Sequence, residues 1–149
     1  MVPGLGPCSV RSFARTLGQG GTPAAFTYLF AHPTTSVSYS FLPGVGPGAV
    51  TVGHATEIAY VFGGGFLTKG PEADLAAPVS QYWTNFARSG NPNRPAVPAV
   101  SWPAYSAATD QVLRLDVASA EEGGIRVQTA LRKGACDFWD TNTPPRFEH

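Results

Sequence analysis

Two short apolar runs, Ala25-Phe26-Thr27-Tyr28-Leu29-Phe30 and Val112-Leu113-Arg114-Leu115, most tightly limit what this chain can fold into. The first is β-branched and aromatic, is bounded by Pro23 and Pro33, and reads as a buried strand. The second alternates into Asp116 and reads as another. Both read as apolar on both faces, as central strands of a parallel sheet do. Two strands are too few for a stable free-standing sheet. Either further strands are hidden in the chain, or the partner strands belong to a larger α/β protein. The second reading is preferred.

Helical spacing occupies much of the remainder. Val10, Phe13, Ala14 and Leu17 recur at helical intervals over residues 9–17, and Gly18 is placed to stop that helix. A short helical turn is expected over 57–62. Leu75, Val79, Tyr82, Trp83 and Phe86 share one face of the clearest helix, which Ser89-Gly90-Asn91-Pro92 ends. Pro78 interrupts its pattern, predicting a start near Ala77 or a kink. Val127, Leu131, Ala135, Phe138 and Trp139 predict a last helix over 124–139, weakened at Gly134 by about 1 kcal/mol relative to alanine. Residues 92–108 read as an irregular surface stretch. Residues 33–53 read as a long loop, a length that is uncommon without a task. The alternation of elements suggests an α/β layered fold.

Composition narrows the function classes. The 149 residues fall within the range of one domain. Seventeen glycines and fourteen prolines argue for loops rather than a helical bundle. Ten basic residues balance ten acidic ones without a basic stripe, which speaks against a nucleic-acid partner. No apolar run approaches the ~18 residues of a membrane span. The first eight residues lack the basic and apolar regions of a signal peptide. Cys8 and Cys136 are either two buried thiols or a bridge closing nearly the whole chain. Such a bridge adds at most roughly 4–5 kcal/mol and implies an oxidising compartment. Neither belongs to a Cys-x-x-Cys pair.

His54 is the candidate for chemistry. It ends a glycine-rich loop, Glu57 follows three positions later, and an apolar run closes in Gly63-Gly64-Gly65. A histidine so placed can act as a general base near neutrality; a hydrogen-bonded loop or core histidine is the plainer reading. As a metal site, His54 with Glu57 lacks a third ligand nearby, so neither metal nor cofactor is expected. His32 and His149 read as solvent-facing or structural. A base needs a nucleophile, and no serine of this chain sits in a Gly-x-Ser-x-Gly elbow.

Five separated motifs resemble the type-B carboxylesterase/cholinesterase family, of α/β-hydrolase fold. Pro7-Cys8, the Phe13-Ala14-Arg15 helix and the strand through Ala31-His32 resemble its cysteine–helix–strand passage. His54-Ala55-Thr56-Glu57-Ile58-Ala59-Tyr60-Val61-Phe62-Gly63 resembles its catalytic-histidine motif. Tyr82-Trp83-Thr84-Asn85-Phe86-Ala87-Arg88-Ser89-Gly90-Asn91-Pro92-Asn93 resembles its Trp-x-x-Phe-Ala helix and Gly-x-Pro-Asn turn. Trp102-Pro103-Ala104-Tyr105 and Cys136-Asp137-Phe138-Trp139-Asp140 resemble its last two landmarks. Many members carry glycine directly after the histidine, where this chain has Ala55.

The resemblance implies the C-terminal part of an α/β-hydrolase fold, its last strands and helices, over residues 1–141 with a frayed tail at 142–149. Such a piece is incomplete as a free-standing domain. His54 would be the base of a Ser–acid–His triad, Glu57 would anchor the histidine loop, and Cys8 would pair with Cys136. The expected substrate is a small-molecule carboxylic ester, met only when the chain is joined to a portion holding serine and acid. A secretory location is implied. The alternatives are a non-catalytic cholinesterase-like binding or adhesion module, and an independent small domain with an unrelated role.

Overall fold

Among the described residues, three strands pair in the order β1-β2-β3: β1 (Tyr28–Phe30), β2 (Gln111–Leu115) and β3 (Arg126–Thr129). Four helices among the described residues accompany them: α1 (Pro7–Gln19), α2 (Ile58–Val61), α3 (Gly70–Ser89) and α4 (Lys133–Asn142). The computed structural model describes residues 6–19, 24–33, 52–53, 55–63, 70–118, 120–121 and 123–142. Most of the expected 33–53 loop, His54, His149 and the tail beyond Asn142 lie outside these residues. No helix among the described residues is long and apolar enough to cross a membrane.

Backbone pairing sets the strand directions. Leu113 N–H donates to the Thr27 carbonyl (3.0 Å) and Ala31 N–H to the Leu115 carbonyl (2.9 Å). Partner numbers rise together, so β1 and β2 are parallel, with α2 and α3 in the crossover that parallel strands require. Ala130 N–H reaches the Asp110 carbonyl (3.0 Å), joining the end of β3 to the start of β2 in antiparallel sense. The result is a small mixed sheet within an α/β arrangement.

β3 corrects the expected helix over 124–139. Arg126-Val127-Gln128-Thr129 is extended, and helix begins only at Lys133. Ala130 (φ 56°) and Arg132 (φ 52°) turn the chain between them. Val127 and Thr129 are β-branched and favour a pleated surface. Pairing with β2 then satisfies a backbone that local periodicity assigned to a helix. One hidden strand is therefore in this chain, and the first run is not buried throughout, since Tyr28 is exposed. Gly134 lies in the first turn of α4 rather than mid-helix.

The chain divides into two compact units. The first comprises Met1–Tyr28, Trp102–Leu113 and Val127–His149; the second comprises Leu29–Ser101 and Arg114–Arg126.

In the first unit, α1 and α4 are joined covalently and ionically. Cys8 and Cys136 form a disulfide with Cα atoms 4.9 Å apart, as the family resemblance implied. One and two turns along α1, buried Arg11 and then Arg15 continue the inward face. Arg11 pairs with Asp137 (2.6 Å) and Asp110 (3.3 Å), and Arg15 pairs with Asp140 (2.6 Å). Burial works to lower the pKa of Arg11, but the Asp137 hydrogen bond and neighbouring carboxylates outweigh it and raise the value. Hydrogen bonds from Lys133 and then Arg11 hold the Asp137 carboxyl below its usual range. The expected apolar face of α1 is thus buried only in part: Ala14 is buried, but Phe13 is 62% and Val10 52% exposed, and Arg11 is buried instead. Helix α1 also runs through Gly18 instead of stopping there. Trp102, expected on a surface stretch, is buried; its indole donates to the Thr27 carbonyl (2.9 Å) and its ring meets Phe26 and Tyr28 edge-on.

In the second unit, α2 packs on α3, and Leu75, Ala76, Val79 and Tyr82 of α3 are buried. Helix α3 starts at Gly70, well before Ala77, and continues through Pro78. It ends where the sequence indicated, with Gly90 at φ 69° donating its N–H to Phe86 (2.7 Å). Asn85 is fully buried, whereas Phe86 is 48% exposed. The Asn85 amide donates to the carbonyls of Pro92 (2.9 Å) and Ala96 (3.0 Å) and accepts from Gln81 (2.7 Å). Tyr82 fixes the next stretch, its hydroxyl donating to the Val100 carbonyl (2.5 Å) and accepting the Val100 N–H (2.8 Å). After β2 the chain folds back so tightly that a Cβ at Gly123 would sit 2.3 Å from the Val117 carbonyl oxygen. Only glycine fits that position.

Candidate functional site

Position 54 lies outside the described residues, but both of its flanks are described. The Thr56 hydroxyl accepts the Gly53 N–H (3.1 Å) and donates to the Gly53 carbonyl, and Thr56 N–H reaches the same carbonyl (3.4 Å). Thr56 is buried. Ala55 adopts φ 69°, in the left-handed region. An L-residue pays about 1–2 kcal/mol for that conformation and glycine almost nothing. This explains on steric grounds why glycine suits the position. Ala55→Gly is expected to match or exceed the parent stability by up to about 1 kcal/mol, glycine's greater unfolded freedom offsetting part of the relief. Ala55→Val should fall below it by about 1 kcal/mol or more. Urea midpoints of the three proteins check this order.

From Ala55 the chain turns into α2, the Ile58 N–H reaching Ala55 (3.3 Å). Glu57 stands at the N-cap of α2; its carbonyl accepts the amides of Tyr60 (2.9 Å) and Val61 (3.0 Å), and its side chain makes no cap bond. Gly63, at φ 60°, follows the helix end. A helix of one turn has no stability of its own, so tertiary contact must hold α2. Tyr60 is its one buried residue. The Tyr60 ring lies 4.9 Å from Phe30 and 6.0 Å from His32, and its hydroxyl donates to Glu72 (3.4 Å).

Behind Tyr60 runs a chain of ionisable groups. His32 faces Glu72 through Nε2 (3.4 Å) and Asp116 through Nδ1 (3.5 Å), with its side chain only 13% exposed. Arg114 pairs with Asp116 (2.9 Å), whose other oxygen accepts the Val117 N–H (2.9 Å). Of the two sequence readings of His32, the structural one holds. Its ring nitrogens point to different carboxylates and cannot converge on one ion, and among the described residues no His, Cys, Asp and Glu group is arranged to hold a metal. Sequence reasoning passed over Thr56 and Glu72. The signal for Thr56 was its hydroxyl three residues after a glycine, a spacing at which it can bond the backbone of a turn.

In the first unit, a cleft of about 190 Å³ is lined by Ala14, Arg15, Gly18, Tyr105, Ser106 and Ala107. Its principal polar groups are already engaged, Arg15 with Asp140 and Tyr105 with Asp110 (3.0 Å). Burial, then the Asp110 hydrogen bond, pushes the Tyr105 hydroxyl pKa up.

The model of the Carboxylesterase family matches residues 5–139, a span that contains the 53–63 turn and helix. The chain belongs to the carboxylesterase family. It is 36% identical over 141 residues to carboxylesterase 5A of Canis lupus familiaris, covering 88% of this chain and 22% of that protein. It is 31% identical to the acetylcholinesterase of Bungarus fasciatus, covering 92% of this chain and 21% of that one. A medium-chain fatty acyl-CoA hydrolase precursor of Anas platyrhynchos is 36% identical, covering 85% and 20%. By family resemblance the chain is of carboxylesterase type. It spans about a fifth of the length of the curated relatives it matches.

Proposed function

We propose that this chain is the C-terminal part of a carboxylic-ester hydrolase, residues 1–141 belonging to the carboxylesterase domain and the rest forming a tail. The observation that carries the reading is the family match across residues 5–139, which contains the histidine motif beginning at His54. His54 is the base of a Ser–acid–His triad. It takes the proton of the serine as that oxygen attacks the ester carbonyl, then returns it to the leaving alcohol. Glu57 steadies the histidine loop and is not the triad acid. The serine and acid come from a portion that this chain does not contain, in keeping with its coverage of its relatives. The substrate is a small carboxylic ester, and the chain alone is inactive. The Cys8–Cys136 bridge supports a secretory location, where disulfides persist.

A serine-directed fluorophosphonate probe tests the division of labour. The isolated chain is expected to remain unlabelled, whereas a longer protein that joins it to a Gly-x-Ser-x-Gly elbow is expected to label. A longer parent that keeps the scaffold but never labels would favour a binding or adhesion module instead.

A further inference from the structure

Helix α1 turns its charge inward. Arg11 and Arg15 are the charged residues of its sequence, and both are engaged within the first unit, Arg11 by Asp110 and Asp137 and Arg15 by Asp140. Val10 and Phe13, three residues apart and so neighbours on one face, are both more than half exposed. Thr16 continues that face and is exposed too; its hydroxyl donates back to the Ser12 carbonyl (3.1 Å), so its donor is already engaged. A helix face that stays in water normally carries the charged residues and hides the apolar ones. Here the order is reversed: a cation is desolvated while a phenyl ring stays in water. Such a helix is built to be packed on both sides.

The whole of α1 falls within the family match over residues 5–139, so it lies inside the carboxylesterase domain. The matched part is only about a fifth of each relative, and the rest of such a domain is absent from this chain. A second copy of the chain is the weaker occupant, because it would make a face without charge part of the finished domain's surface. We propose that the Val10–Phe13 face of α1 is an interior surface of the longer protein, covered there by an apolar, uncharged face of the portion that holds the serine and acid. The proposal rests on the reading of this chain as one part of a longer hydrolase, and it names a surface by which the two parts join.

Hydroxyl-radical oxidation followed by peptide mass spectrometry reads the exposure of Phe13 in the isolated chain and in the longer protein. Phe13 is 62% exposed in this chain. A fully buried phenylalanine keeps under about 5% of its surface, so oxidation in the longer protein is expected to be about tenfold slower. Phe13→Glu should leave the urea midpoint of the isolated chain nearly unchanged, and in the longer protein lower it or abolish soluble expression. Phe13→Leu should be tolerated in both. Equal oxidation of Phe13 in the two proteins overturns the proposal, as does a longer protein that tolerates the glutamate. Protection already present in the isolated chain also overturns it, because this chain or a second copy then covers the face. Neither reading uses esterase activity or the serine label. A longer protein that never labels yet shields Phe13 ends the hydrolase reading and keeps this one; one that labels with Phe13 exposed does the reverse.

Discussion

Replacing Asn85 by leucine is expected to lower the stability of the second unit by about 3 kcal/mol, although the change makes the residue more hydrophobic. The amide side chain makes three hydrogen bonds, to Pro92, Ala96 and Gln81, and is fully buried. Each such bond has a net worth of about 1 kcal/mol, and a buried carbonyl stripped of its donor costs a further 1–3 kcal/mol. The Pro92 carbonyl is left in that state. Phe86→Ala, at a half-exposed position of the same helix, should cost about 1 kcal/mol or less. Helical periodicity alone predicts the reverse order, with Phe86 in the core. Urea denaturation of the two variants therefore separates the hydrogen-bonded account from the pattern-based one.

Loss of the Cys8–Cys136 bridge is the second large effect. The bond links residues 128 positions apart, and closing a loop of that length restricts the unfolded chain by up to about 4–5 kcal/mol. Typical domains hold only about 5–15 kcal/mol in total. The Cys8→Ser/Cys136→Ser protein is thus expected to lose most of the margin of the first unit, and reduction of the parent should do the same. Arg11 and Arg15 still pair α1 with α4 when the sulfurs are parted. The reduced protein should therefore keep its helical circular dichroism in the absence of denaturant while unfolding at a much lower urea concentration. Coincident urea curves for the oxidised and reduced proteins would contradict this account.

Local chemistry made part of the fold legible. The Gly90 stop of α3 and strand β2 follow from short-range pattern and turn residues, and the one-turn α2 after position 54 was expected although its span is too short to show a period. β3 was not legible, because Val127 and Thr129 become a strand through pairing with β2, a contact remote in sequence. The inward face of α1 escaped for a related reason. Its apolar residues suggested Val10 and Phe13, yet a disulfide and three arginine–carboxylate pairs turned Cys8, Arg11 and Arg15 inward. Hydropathy reads a salt-bridged arginine as a surface residue. At the site, His54 stood out by residue type and surroundings. Thr56 and Glu72 did not, since a hydroxyl or carboxylate declares its role only once its partners are in place.

The central claim is that His54 is a triad base serving a serine that lies outside this chain. Its most direct test is the hydrolysis of a short-chain p-nitrophenyl ester by the isolated chain, by a longer protein joining it to the serine and acid, and by each with His54→Ala. The account predicts no activity in the isolated chain, activity in the longer protein, and a fall in kcat of at least about 10⁴-fold in its variant. Hydrolysis by the isolated chain that disappears in His54→Ala would contradict it, as would a longer-protein variant that keeps its rate.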